Sequence, residues 1–179
     1  QLGYYPYPIF DERVTAKLGD GLDKSGKMNA TNIKVALEAI ARFAKIFNSL
    51  NTNQIIIVAT AAVRRAKNAQ EFIKPAEKIL NQKIKVITPE EEAFFMVNGL
   101  TNGIPKLTGL VVDLGGGSTE IALVKKGKIL NSTSLPIGHL SSVTSEKIRE
   151  KLNEVSWLRS MTGQTLYGIG GSFRAIGKA

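Results

Sequence analysis

Ile33, Ala36, Leu37, Ile40, Phe43, Ala44, Phe47 and Leu50 recur at helical spacing and predict a long amphipathic helix with one broad apolar face. Upstream, Val14, Ala16 and Leu18 alternate with polar residues before Gly19-Asp20-Gly21, the pattern of a half-buried strand ending in a turn. Ile55-Ile56-Ile57-Val58-Ala59 is a continuous run dominated by β-branched residues. Such a run predicts a strand covered on both faces, and hence a parallel α/β sheet. Asn68 followed by Glu71 has the spacing of a capping box, opening a helix with Phe72, Ile73, Ala76, Ile79 and Leu80 on its apolar face and a kink expected at Pro75. Ile84, Val86 and Ile87 predict a short strand. Thr88-Pro89-Glu90-Glu91 then supplies an N-cap, a first-turn proline and a capping-box glutamate for a helix through Phe95 and Leu100.

Residues 101–108 carry Asn102, Gly103 and Pro105 and read as a linker between two lobes. The expected organisation is a first α/β lobe over residues 1–105, incomplete at its N-terminus, and a second over residues 106–179, incomplete at its C-terminus. In the second lobe Leu110-Val111-Val112 predicts a strand and Ile121-Ala122-Leu123-Val124 another, with a glycine loop between them. A turn at Lys126-Gly127 leads into a strand from Ile129 to Leu135. A helix over residues 145–155, a strand over 166–169 and a helix start after Gly170-Gly171-Ser172 follow.

The chain has 179 residues, 43% of them hydrophobic, enough for a core in one or two modest domains. With 24 Lys+Arg against 15 Asp+Glu, its net charge of +9 suits polyanionic partners. The basic residues are dispersed, with only pairs such as Arg64-Arg65 and Lys125-Lys126, so neither a nucleic-acid arm nor a polybasic membrane tag is indicated. Cysteine is absent, which excludes disulfide frameworks, thiolate metal sites and cysteine nucleophiles. No apolar run reaches the roughly 18 residues of a membrane span, and residues 1–10 lack a signal-peptide pattern. A cytoplasmic location is expected. The chain begins with Gln and stops just after a glycine-rich motif, and it reads as a fragment.

Candidate chemistry centres on Asp113-Leu114-Gly115-Gly116-Gly117-Ser118-Thr119-Glu120. Three consecutive glycines let backbone N–H groups approach phosphate oxygens, and Ser118 and Thr119 add hydroxyl donors. Asp113 and Glu120 flank the loop where they could hold Mg²⁺ directly or through water. A glycine hairpin with merely capping carboxylates is the plainer reading, but two carboxylates with two hydroxyls favour a phosphate and metal loop. A dinucleotide loop would open a helix, whereas this one joins strand to strand. Gly21-Leu22-Asp23-Lys24-Ser25-Gly26-Lys27 resembles a Walker A run, yet Met28 stands where a hydroxyl must reach the metal, so it reads as a turn.

Glu90 and Glu91 are accounted for by the helix dipole and the capping box, which leaves Glu92 as the candidate general base. Arg64, at the end of the buried strand, could grip a phosphate, with surface charge the plain alternative. His139 is the only histidine, so a multi-histidine metal site is excluded, and it reads as a loop residue. Gly170, Gly171 and Ser172 form a second strand-to-helix glycine turn that would aim a helix N-terminus at an anion.

Taken together, Gly19-Asp20-Gly21-Leu22, Ala59-Thr60-Ala61-Ala62-Val63-Arg64 with Asn68, Glu90-Glu91-Glu92-Ala93, residues 113–120, Ser134-Leu135-Pro136-Ile137-Gly138 and residues 168–175 resemble the exopolyphosphatase/guanosine pentaphosphate phosphohydrolase family. The resemblance implies a two-lobed α/β actin-like (ribonuclease H-like) ATPase fold. It implies that Glu92 is the catalytic base and that Gly115, Gly116, Gly117 and Ser118 bind phosphate. It also implies that Asp113 and Glu120 hold Mg²⁺ and that Arg64 contacts phosphate. Three departures stand out. The family's opening strand with its Asp-x-Gly-Ser-Asn-Ser/Thr loop is not in this chain, Phe94 stands where an arginine usually follows Glu-Glu-Ala, and the segment from Gly138 to Ser145 is short.

The expected activity is Mg²⁺-assisted hydrolysis of terminal phosphoanhydride bonds of inorganic polyphosphate or guanosine pentaphosphate, with basic charge slightly favouring the longer polyanion. The alternatives are an actin-fold small-molecule kinase and a non-catalytic phosphate or nucleotide sensor. Expected partners are polyphosphate or a phosphorylated guanosine nucleotide, with no DNA, RNA or membrane, and a homodimer left open.

Overall fold

The computed structural model describes residues 10–50 and 54–178, so the outer limits of the two expected lobes lie outside it. The described residues form two compact units that divide at Thr88/Pro89, where the sequence pattern had suggested residue 105.

The first unit, residues 11–88, is built on two helices. Helix α2 (Ala30–Ser49) starts at Asn29, whose side chain accepts the Thr31 N–H at 2.8 Å, and its buried residues are Ile33 and Ala36. It packs on α4 (Ala69–Leu80), which buries Phe72, Ile73 and Ala76, contains Pro75 and ends at Asn81 in a left-handed conformation. Two short parallel strands, β1 (Val58–Ala59) and β2 (Lys85–Val86), confirm the parallel pairing expected from the apolar run. The run is not covered on both faces, however: Ile56 is 78% and Val58 44% exposed. A strand over residues 14–18 is not formed either. Lys17 takes a positive φ of 51°, which breaks the alternation, and Ala16 and Leu18 pack on the core from irregular backbone.

The Walker-like segment forms one helical turn, α1 (Leu22–Ser25), between Gly21 and Gly26, both left-handed. Asn68 does not cap α4 with its side chain. Its Oδ1 instead accepts the Met28 N–H at 2.8 Å and its Nδ2 donates to the Met28 carbonyl at 3.1 Å, tying the turn to the α4 entry. Between β1 and α4 lies an unforeseen short helix, α3 (Ala61–Arg65).

The second unit is a four-stranded sheet of order β5-β4-β3-β6, with β3 (Gly109–Leu114), β4 (Thr119–Lys125), β5 (Lys128–Leu135) and β6 (Leu166–Ile169). The β3–β4 and β4–β5 pairs are antiparallel and β6 lies parallel to β3. Lys126 and Gly127, with φ of 50° and 78°, make the two-residue turn whose twist matches a hairpin. One sheet face carries α5 (Pro89–Thr101): Val97 packs in a cluster with Leu107, Val111, Ala122 and Val124, all nearly fully buried. Each such valine or leucine side chain contributes about 1.5–3 kcal/mol by leaving water. The other face packs Ile121 and Leu135 with Val155, which precedes an unforeseen 3-10 turn at Ser156–Ser160. Helices α6 (Ser145–Asn153) and α7 (Gly170–Ile176) fall where the sequence pattern puts them.

Candidate active site

The glycine loop is a strand-to-strand connection, as its sequence context implies: Leu114 pairs with Thr119, and residues 115–118 make the turn. Asp113 and Glu120 are direct cross-strand partners. Side chains alternate along a strand, so Asp113 shares a face with Val111, and Glu120 shares one with Ala122. That is the α5 face. Two carboxylates therefore stand side by side at the end of an apolar cluster, next to the loop.

The Glu120 residue is only 4% exposed, and its carboxylate accepts the Ser134 hydroxyl at 2.9 Å. Burial, and secondarily the facing charge of Glu120, push the Asp113 carboxyl above the usual aspartate range. Gly170, at a φ of 84°, approaches Asp113 so closely that a Cβ there would lie 2.5 Å from its Oδ1. The second glycine turn thus sits against the first carboxylate.

Among the described residues no group of three or more acidic or histidine side chains could hold a metal ion, and what they place at the loop is the Asp113–Glu120 pair. The pair fits Mg²⁺ nonetheless. That ion binds through one or two carboxylates and keeps water and phosphate oxygens for its other positions, and a cation relieves the like-charge opposition of Asp113 and Glu120.

Not every predicted donor is available in the expected way. The Gly115 N–H donates to the Ser118 carbonyl at 3.0 Å, closing the turn. The Ser172 hydroxyl donates to the Leu114 carbonyl at 2.9 Å, which latches α7 to the end of β3. Gly116 and Gly117 form the tip, and nothing lies within 4 Å of a Cβ placed on Gly117. Gly171 is likewise open, and Ser118 is buried.

The segment ending at Gly138, part of the resemblance but given no role from the sequence, forms a wall against the tip. A Cβ on Gly138 would fall 2.3 Å from the carbonyl carbon and oxygen of Gly116 and 2.4 Å from the Gly117 nitrogen, so the two loops touch backbone to backbone. The His139 and Leu140 N–H groups donate to the Gly115 and Gly116 carbonyls, both at 3.0 Å, and the Thr119 hydroxyl donates to the Ile137 carbonyl at 2.6 Å. The signal was the Pro136-Ile137-Gly138 turn directly after β5.

Glu92 lies half-buried in the first turn of α5. The direction of that helix follows from its contacts. Thr101, its last residue, lies against the β4–β5 turn, with its Cγ2 3.6 Å from a Cβ on Gly127. Val97 packs in the cluster further along the strands. From Thr101 to Glu92 the helix advances about 13 Å at 1.5 Å per residue, and β4 runs about 17 Å from Lys125 to Glu120 at 3.3 Å per residue. The α5 N-terminus therefore lies towards the glycine-loop end of the same sheet face. Phe94 and Phe95, just beyond Glu92, are exposed and stack edge to face with centroids 5.8 Å apart.

Arg64 belongs to the other unit, where its guanidinium donates to the Ile87 carbonyl at 2.6 Å. Its neighbour Arg65 pairs with Asp23.

Comparison with known proteins bears on the fold and the family. The fold matches an exopolyphosphatase from Cytophaga hutchinsonii with a TM-score of 0.83 at 24% identity, over 95% of this chain and 61% of that one. A Ppx/GppA family member from Aquifex aeolicus matches with a TM-score of 0.63 at 27% identity, over 88% of this chain and 56% of that one. An exopolyphosphatase-like protein matches at 26% identity with a TM-score of 0.71, over 89% of this chain and 56% of that one. The chain thus spans about three fifths of the length of these structures, and its α/β units have the actin-like fold. Residues 2–161 match the model of the Ppx/GppA phosphatase family, a span that holds Glu92, the glycine loop and the Gly138 wall, and the chain belongs to that family.

Proposed function

We propose that this chain is part of an enzyme that hydrolyses the terminal phosphoanhydride bond of inorganic polyphosphate or guanosine pentaphosphate. The observation that carries the reading is the Asp113–Glu120 pair, two carboxylates facing each other across a glycine hairpin, on the sheet face that bears α5. A like-charged pair of this kind is costly unless a cation neutralises it.

In this reading Asp113 and Glu120 hold Mg²⁺, which when bound neutralises charge on phosphate oxygens. The N–H groups at the loop tip, Gly116 and Gly117, with Ser118 beside them, orient the terminal phosphoryl group. Ser172 supports the loop through Leu114 and does not spend its proton on substrate. Glu92 takes a proton from a water whose oxygen attacks the terminal phosphorus. The bridging P–O bond breaks, and the shortened chain leaves as its anion.

The test is Glu92→Gln in the full-length protein, with phosphate release followed from tripolyphosphate and from guanosine pentaphosphate in the presence of Mg²⁺. Loss of the base is expected to lower kcat by about 10²- to 10⁴-fold while leaving substrate binding intact. Near-wild-type turnover removes Glu92 from the role. A wild-type protein that binds but never releases phosphate is a sensor.

A further inference from the structure

The sole histidine of the chain stands on the glycine loop in a way the proposed reaction does not yet use. Its backbone N–H and its ring Nδ1 both lie 3.0 Å from the Gly115 carbonyl oxygen. That carbonyl can only accept, so Nδ1 carries a proton and donates it. The other polar atom near Nδ1 is the Ser172 hydroxyl, 3.5 Å away. Its own proton goes to the Leu114 carbonyl, so towards the ring it too presents a lone pair. Two acceptors on one side hold the ring in a single tautomer and orientation.

The ring lies beside the loop tip. Its Cε1, the carbon between the two ring nitrogens, lies 3.8 Å from the position of a Cβ on Gly116, behind Leu140 Cδ1 at 3.4 Å, and His139 is exposed. Among the described residues Nε2, one bond from Cε1, has no hydrogen-bond partner. A ring that is exposed, tethered by one nitrogen and set beside a tip where nothing lies within 4 Å of a Cβ on Gly117 is arranged to meet a ligand.

We propose that His139 is a further substrate-contacting residue of this site, bonding through Nε2 to an oxygen of a terminal phosphoryl group held at the Gly117 side of the tip. Because Nδ1 donates to the Gly115 carbonyl, Nε2 is the nitrogen left to share one hydrogen bond with a phosphate oxygen, and no bond to phosphorus is made or broken. The inference rests on the glycine loop being a phosphate site.

Inorganic tripolyphosphate is titrated into the protein with Mg²⁺ present, while ¹⁵N resonances of the imidazole and of the Gly116 and Gly117 amides are followed. The His139 ring signal is assigned by its loss in His139→Asn. The expected result is a shift of the glycine amides together with a shift at Nε2 larger than at Nδ1. His139→Asn keeps a donor for the Gly115 carbonyl but cannot reach the ligand. It is expected to unfold at the wild-type temperature and to bind tripolyphosphate about tenfold or more weakly, the worth of one hydrogen bond to a charged group. His139→Gln, whose amide reaches further, is expected to recover part of that loss. If the amides respond while the ring does not, or if His139→Asn binds like wild type, the phosphate loop stands and the role of His139 falls. If neither amides nor ring respond, the phosphate loop itself is wrong and the proposal falls with it.

Discussion

The backbone contact between Gly138 and the glycine loop makes a quantitative demand. A methyl group added at Gly138 would lie 2.3 Å from two atoms of Gly116 and 2.4 Å from the Gly117 nitrogen. Carbon atoms in normal contact sit about 3.5–4.0 Å apart, so the shortfall exceeds about 1 Å. All three obstructing atoms are backbone, so no rotamer change relieves the clash, and the loops must separate. Overpacking of this kind costs about 1–3 kcal/mol. Separation also stretches the bonds from the His139 and Leu140 N–H groups to the Gly115 and Gly116 carbonyls, each worth about 1 kcal/mol net. Gly138→Ala is therefore expected to cost about 2–4 kcal/mol and to displace the loop tip. Urea unfolding at constant m measures the first effect, and phosphate release in the full-length protein measures the second. Gly99→Ala is the matched control. Gly99 is exposed within α5 and has nothing within 4 Å of an added Cβ, so alanine there is expected to stabilise by up to about 1 kcal/mol. If Gly138→Ala costs less than about 0.5 kcal/mol and leaves turnover unchanged, the two loops are not in contact and the wall described above does not exist.

Two further outcomes test other parts of the structure. Asp113→Asn removes a like charge facing Glu120, and is expected to stabilise the metal-free protein at neutral pH by about 0.5–1 kcal/mol in urea while abolishing Mg²⁺-dependent phosphate release. The sign follows from the raised Asp113 pKa. Folding is favoured while the carboxyl stays protonated, and that contribution is lost as pH rises from the unfolded value of 3.8 through the higher folded one. The variant should not show this slope, and an Asp113→Asn protein less stable than wild type at pH 7 would contradict the pairing. In the first unit, Asn68→Ala leaves the Met28 N–H and carbonyl without their side-chain partner and is expected to cost about 2–3 kcal/mol by the same assay, with a loss under 0.5 kcal/mol refuting the tie.

Where local pattern and tertiary contact agree, the sequence is a sufficient guide. The α2 periodicity, the two-residue turn at Lys126-Gly127 and the strand–loop–strand setting of the glycines all carry their signal within a few residues. Readings that depend on distant partners fare differently. Alternation at Val14, Ala16 and Leu18 does not make a strand, because a strand needs a neighbour to bond with and Lys17 turns the backbone away. Asn68 has the spacing of a cap but finds two backbone groups of Met28, 40 residues away, and its spacing to Glu71 cannot show this. Likewise, Gly115 and Ser172 resemble phosphate donors by type, yet each spends its proton inside the protein. His139 reads as an ordinary loop residue because its meaning lies in Gly115 and Ser172, which are remote in sequence.

The chemistry at the loop is also a consequence of register. Asp113 and Glu120 meet because Val111 pairs with Ala122 two steps along, and those apolar residues are held under α5 by Val97, Leu107 and Val124. A slip of one residue between β3 and β4 would break the opposition of the carboxylates and turn one strand's apolar set away from the helix. The slip is opposed from both ends. The buried cluster holds the register near the β4–β5 turn, while Ser172 on Leu114 and Thr119 on Ile137 hold it beside the glycines. The carboxylate pair repels itself, and its own contribution to its placement is the bond that Glu120 accepts from the Ser134 hydroxyl. Its position is otherwise imposed by the apolar core and the Ser172 and Thr119 hydroxyl groups, which is how a site can keep an unfavourable charge pair ready for a cation.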